Sequence, residues 1–141
     1  MGHIFFIAPS ADSNLDEISQ WTLYWLLEHN LVPDTAIYNC HNLRQALVAI
    51  EAPLTIGEAP QLVVIDHTTP PQEETIRFAG KLRTCIPESW IVEIVPPDMP
   101  LPSVDENSFW VQKPVPKEDW LSVLEHVFLK AGSPQWSETE K

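Results

Sequence analysis

Glycine is scarce in this chain, with four residues in 141, at positions 2, 57, 80 and 132. None follows the first apolar run. The glycine-rich phosphate loop that opens a nucleotide-binding β-α unit is therefore missing. Cysteine is scarcer still. Cys40 and Cys85 have no metal-ligand spacing and are too few for a disulfide framework, so they read as buried thiols. Lysine and arginine number eight against twenty acids, for a net charge of −12. Such a field repels the phosphate backbone of nucleic acids and anionic membrane surfaces alike. The acid excess serves solubility or draws a basic partner surface. Long apolar runs are also missing. Ile4–Ala8 has no basic residue ahead of it and is too short for a signal peptide or a membrane span. A cytoplasmic location is the expectation that follows. No nucleophile–base pair is visible, and the chain is not expected to be an enzyme.

What is present is an ordered alternation. A length of 141 residues suits one domain. The reading places that domain over residues 1–131, with a flexible polar tail over 132–141. His3–Ala8 is a short, continuously apolar strand of the kind buried on both faces of a parallel sheet. Ser13 with Asp16 looks like a helix start. The helix runs to about Asn30, with Ile18, Trp21, Trp25 and His29 as its inner stripe. The two tryptophans read as core in preference to a ligand cage. Thr35–Cys40 is a second strand. Asn42 caps a second helix whose stripe is Leu43, Leu47 and Ile50 and which ends at Pro53. Gln61–Ile65 is a third strand, followed at once by Asp66. Pro70 and Pro71 open a third helix carrying Ile76, Ala79, Leu82 and Ile86. Trp90–Val95 is a fourth strand.

The rhythm then breaks. Pro96, Pro97, Pro100 and Pro102 exclude a regular helix, because each lacks an N–H donor and clashes with the preceding turn. Phe109–Gln112 is a fifth strand, and Pro116 opens a last helix with Trp120, Val123, Leu124 and Val127 on its apolar face. The order predicts an α/β fold: a doubly wound, five-stranded parallel sheet with helices on both faces. Chemistry in such sheets sits at the carboxyl ends of the strands. That rule selects Ala8–Asp12, Asp66–Thr69, Val95–Asp98 and Lys113.

Two local patterns stand at those ends. Leu62-Val63-Val64-Ile65-Asp66 places a carboxylate at a buried strand tip, with Pro70 four residues on. Phe109-Trp110-Val111-Gln112-Lys113-Pro114 places a lysine at the tip of the last strand. Together, in this order, they resemble the receiver domains of bacterial response regulators, over about residues 3–131. The resemblance implies a flavodoxin-like, receiver-type sheet and a set of roles. Asp66 is then the phosphoryl acceptor and Lys113 the cation that contacts the phosphoryl oxygens, since a carboxylate nucleophile needs neighbouring positive charge. Trp110 takes the place of the switch aromatic, and the Lys113–Pro114 peptide bond is cis.

The departures are as informative. The family holds Mg²⁺ with an acidic pair after the first strand, where this chain has Ala8 and Pro9, neither of which offers a carboxylate oxygen. Asp12 can join Asp66 as a metal ligand only if its loop folds back. Val95-Pro96-Pro97 lacks the hydroxyl that the family places after the fourth strand. The family's fourth helix is replaced by the proline-rich stretch. Receiver relatives with such losses, the pseudo-receivers, work as protein-binding modules.

The expectation is therefore a stand-alone atypical receiver that acts on a protein partner, a sensor kinase or downstream regulator, as a monomer or weak dimer. Its partner surface is expected around Trp110, Trp120 and Met99. No cofactor is expected, with Mg²⁺ entering only if Asp66 is phosphorylated. Two alternatives stay open: a phosphorylatable regulator with a weakened Mg²⁺ site, and a small-molecule-binding α/β domain. Asp66 itself also reads as a strand-end carboxylate that pairs with Lys113 and caps a turn. His67 reads as a metal ligand or shield beside Asp66, or as a plain loop histidine.

Overall fold

Apolar strands of five or six residues can only be kept from water if helices cover both of their faces, and the chain supplies those helices in alternation. In the computed structural model, residues 2–8, 15–31, 35–67, 73–95, 108–112 and 115–130 are described. The elements are β1 (Gly2–Ile7), α1 (Leu15–Glu28), β2 (Thr35–Cys40), α2 (Leu43–Thr55), β3 (Leu62–Asp66), α3 (Glu73–Cys85), β4 (Trp90–Val95), β5 (Ser108–Gln112) and α4 (Lys117–Glu125). A π-helical turn over His126–Lys130 continues α4. The five strands form one parallel sheet in the order β2-β1-β3-β4-β5. This is the strand order of flavodoxin-like sheets, with its topological switch point between β1 and β3. The proline-rich stretch expected to replace a helix lies outside the described residues, as do Ser13 and the tail.

Strand side chains alternate between faces, and the two cores follow that alternation. Ile4 and Phe6 of β1, Leu62 and Val64 of β3, and Val92 and Ile94 of β4 pack under α1 and α4 through Ile18, Trp25, Leu26, Trp120, Val123 and Leu124. Phe5, Ile7, Val63, Ile65 and Ile91 face the other way, against Ala46 and Ile50 of α2 and Phe78, Ala79 and Leu82 of α3. Of the last helix's expected apolar face, Trp120, Val123, Leu124 and Val127 are all buried.

The helices are stopped by their own sequences. α1 ends where Asn30 takes a left-handed φ of 58°. The Leu31 N–H then reaches the Leu26 carbonyl at 2.9 Å and the Asn30 N–H reaches that of Leu27 at 3.2 Å, which satisfies two carbonyls at the helix end. α2 begins at Asn42, whose side chain accepts from the Gln45 N–H at 2.8 Å. It ends in the same way as α1, at Gly57 (φ 79°), with Glu58 N–H on the Pro53 carbonyl at 2.9 Å and Gly57 N–H on that of Leu54 at 3.1 Å.

Four details differ from the sequence reading. Pro53 lies inside α2, which continues to Thr55. Its ring removes one hydrogen bond but is buried under the last turn. The buried stripe of α2 is Ala46, Ile50 and Pro53, leaving Leu47 exposed. On α3, Thr75 and Phe78 are buried and Ile76 is turned out. On α1, His29 is exposed and stacks on Trp25 at 4.1 Å, and Thr22 takes the buried position.

Thr22 carries a side-chain hydrogen bond between α1 and α4. Its hydroxyl donates to the Ile18 carbonyl at 2.8 Å and accepts from the Trp120 indole N–H at 2.9 Å, both groups being fully buried. Thr22→Val keeps the shape and leaves the indole N–H unpaired. It is expected to destabilise the fold by about 1–3 kcal/mol, measured by urea unfolding, while Thr22→Ser stays near wild type.

Near the amino end of β1, His3 Nε2 donates to the Glu58 carboxylate at 2.8 Å. That hydrogen bond holds the Glu58 carboxyl below its ordinary value, against a smaller opposing effect of burial. A lowered carboxyl value contributes stability that is present above the unfolded-state pKa and is lost as pH falls through the folded one. The stability gap between wild type and Glu58→Gln is therefore expected to be full at pH 6 and to close on acidification below about pH 4.3, followed by thermal melts across that range.

Candidate functional site

β3 is the most enclosed strand, with all five residues buried. Its four apolar residues hold it between the two helical layers and carry Asp66 to the carboxyl edge, beside the switch point, with 2% of its surface exposed. Asp66 pairs in register with Ile94 of β4 and shares the face of Leu62 and Val64, that of α1 and α4. The sheet ladder continues one residue further, the His67 N–H meeting the Ile94 carbonyl at 2.9 Å.

That extra residue turns His67 to the other face. Its ring is fully buried, and Nε2 donates to Glu93 Oε1 at 2.7 Å. Glu93 sits in the middle of β4 with 2% exposure, and its second oxygen takes the guanidinium of Arg83 from the last turn of α3. Arg83 in turn lies over the indole of Trp110, 5.0 Å from the ring centroid, a favourable cation–π geometry. Trp110 pairs with Glu93 across β4 and β5. A charged acid inside a sheet is costly unless a cation and hydrogen bonds surround it, and Arg83 and His67 supply them. The four side chains link the tip of β3 to the edge strand β5.

Of the residues singled out from sequence, Asp66 stands at the strand tip. Trp110 is half-buried under Arg83. Lys113, Pro114, Asp12 and Met99 lie outside the described residues. Trp120 has to be withdrawn from the partner surface: it is fully buried, packed near Phe6 and bonded to Thr22, because its helical face is the one that covers the sheet. His67 is not a plain loop residue, since Glu93 holds it in the interior. Glu93 and Arg83 were missed. The signal for them was a charge in the middle of the otherwise apolar Trp90–Val95 run, which only a buried cation could tolerate.

The donor set tests the metal that the resemblance implied. The described strand-end residues are Ile7, Ala8, Cys40, Asp66, His67, Val95 and Gln112. Asp66 is the one carboxylate among them, and no group of three metal-ligating side chains occurs among the described residues. A hard divalent cation requires several oxygen ligands, and these residues do not provide them.

No family model matches the chain, and no curated protein matches it. Among solved structures, a crystal structure of a "putative lipoprotein" fragment from Peptoclostridium difficile 630 aligns with a TM-score of 0.49 and 10% identity, covering 88% of this chain and 95% of that one. A likeness this distant carries no argument. The class is defined by the architecture: an α/β protein with a five-stranded, all-parallel sheet. No described helix is long and apolar enough to cross a membrane.

Removing one member of the buried network strands the others. Glu93→Leu is expected to cost about 3–5 kcal/mol and Arg83→Met a similar amount, while the double variant Glu93→Leu/Arg83→Met recovers much of the loss. Urea unfolding of the four proteins closes the cycle.

Proposed function

We propose that this chain is a receiver-type signalling domain that acts by binding a protein partner in the cytoplasm, a sensor kinase or downstream regulator, with phosphoryl transfer to Asp66 weak or absent. It is not an enzyme in its own right. The observation that carries the reading is the buried carboxylate of Asp66 at the carboxyl tip of β3, beside the switch point of a β2-β1-β3-β4-β5 sheet. Open parallel sheets place their ligand chemistry at this point. The Lys113-Pro114 pair, with Lys113 four residues before the start of α4 at Lys117, adds the sequence half of the argument.

The reduced chemistry follows from the donors. Ala8 follows β1 where the resemblance calls for an acid, so Asp66 lacks a carboxylate neighbour there to share a cation. Phosphoryl transfer depends almost wholly on such positioning and charge neutralisation. The rest of the edge is built for rigidity. The His67–Glu93–Arg83 contacts fasten β3, β4 and α3 together, and Trp110 is held under a guanidinium. A surface fixed in this way suits constant recognition of a partner better than a phosphorylation-driven rearrangement.

Amide NMR during titration with Mg²⁺ and then beryllofluoride, a phosphoryl mimic, tests the proposal. The expected result is no saturable shift at Ala8, Asp66 or Trp110 at millimolar Mg²⁺. Saturable shifts centred on Asp66 and lost in Asp66→Asn would instead identify a working phosphoryl acceptor.

A further inference from the structure

The edges of the sheet are β2 and β5. β2 pairs with β1 along its whole length without a bulge, and among the described residues no strand pairs with its outer side. Alternate residues of a strand in a parallel sheet turn both N–H and C=O to the same side, so the outer side of β2 presents a row of backbone donors and acceptors. Such an edge is commonly blunted by lysine, proline or a bulge. Thr35–Cys40 contains no charged residue and no proline. α2 packs over β1 and β2, and a groove of about 700 Å³ runs beside the edge, its lining including Ile37, Tyr38, Arg44, Gln45, Val48 and Ala49. The middle of β2 and Val48, which is 66% exposed, therefore stand at one height along that edge.

α2 adds a second self-matching feature. Its buried stripe is Ala46, Ile50 and Pro53. Gln45, Val48, Ala49 and Ala52 fall at i, i+3, i+4 and i+7 and form another stripe, on the side of the groove. Arg44 and Glu51 are the only charged residues of α2, and both are exposed. Each comes one position before a member of the second stripe, Arg44 before Gln45 and Glu51 before Ala52, so the two flank that stripe on one side. Flanking charges of this kind set the orientation of paired helices. Between two antiparallel copies of α2, Arg44 of each meets Glu51 of the other. Among the described residues neither side chain already forms an ion pair.

We propose that two copies of this chain pair antiparallel through β2, about a two-fold axis perpendicular to the sheet, so that their two sheets become one and their α2 helices lie side by side on the same face. The symmetry of the charges selects this occupant. One axis passing beside the middle of β2 and beside Val48 sets β2 on β2, Val48 on Val48 and each Arg44 against a Glu51. An extended peptide from another protein would fill the backbone edge by strand addition and leave the α2 stripe and its two charges unmatched. β2 is uncharged, so the new ladder sets no like charges opposite each other. The net charge of −12 on each copy opposes association at long range, and physiological salt screens it beyond about 8 Å. The contact is isologous and closes at the dimer, which leaves no β2 edge open. β5 and the carboxylate of Asp66 take no part, so the dimer is independent of phosphoryl transfer.

Sedimentation velocity at physiological salt, across a concentration series up to millimolar chain, tests this. The wild type is expected to rise to a plateau at the dimer and to go no further. Arg44→Glu and Glu51→Arg alter exposed side chains, so folding, checked by circular dichroism, is retained. Either reversal sets like charges together at both symmetric positions and is expected to weaken the dimer about ten-fold. An equimolar mixture of the two variants restores both attractions and is expected to pair as tightly as the wild type, as is the double variant Arg44→Glu/Glu51→Arg. In amide hydrogen exchange, the outward N–H groups of β2 are expected to gain protection as chain concentration rises. A wild type that stays monomeric overturns the proposal and leaves the edge to an extended segment of a different protein. Growth past the dimer, association indifferent to either reversal, a mixture that is not restored, or a dimer whose β2 amides gain no protection overturns it equally.

Discussion

A parallel sheet covered by helices on both faces leaves its strand side chains no route to water, and the rest of this structure answers to that constraint. Apolar residues meet it at once, which is why β1, β3 and β4 read as nearly unbroken runs of Ile, Val, Leu and Phe. Polar groups meet it only by finding one another. Glu93 draws Arg83 up from the end of α3 and His67 down from the tip of β3. On the other face, Thr22 and Trp120 satisfy each other between α1 and α4. These contacts contribute little net stability, since an apolar core of the same shape costs nothing to desolvate.

The two sides of the sheet differ in character as a result. The face under α1 and α4 is apolar, sealed by Trp120, and receives Asp66 at its upper edge. The face under α2 and α3 holds the buried pair of Glu93 and Arg83 with His67 beside it. A carboxylate at the switch point therefore stands beside a strand pair fastened from the other face by buried polar contacts.

Much of the fold was legible in the residues. Continuous apolar runs announced strands, Asn42 announced the start of α2, and Trp120, Val123, Leu124 and Val127 announced the inner face of α4. Asp66 at the end of Leu62–Ile65 was legible as a strand-tip carboxylate, because a short apolar run must end where its chain leaves the core. Other features were not. The helical stripes through Leu47, Ile76 and His29 were misplaced, because several apolar residues surround α1, α2 and α3 and periodicity cannot say which of them the sheet selects. Trp120 was legible as apolar but not as sealed, since its burial depends on α1, about a hundred residues away.

What the sequence by itself determined is the class of architecture and some of its edges: alternating strands and helices, the stop of α1 at Asn30, and an acid at the tip of β3. All of these follow from local chemistry, hydrogen-bond supply, φ preference and side-chain polarity within a few neighbouring positions. What only the tertiary structure decided is which polar groups meet: Arg83 with Glu93, Glu93 with His67, Trp120 with Thr22. Those partners are set by strand order and helix placement, and a residue's own neighbourhood along the chain carries no record of what will lie across the sheet from it.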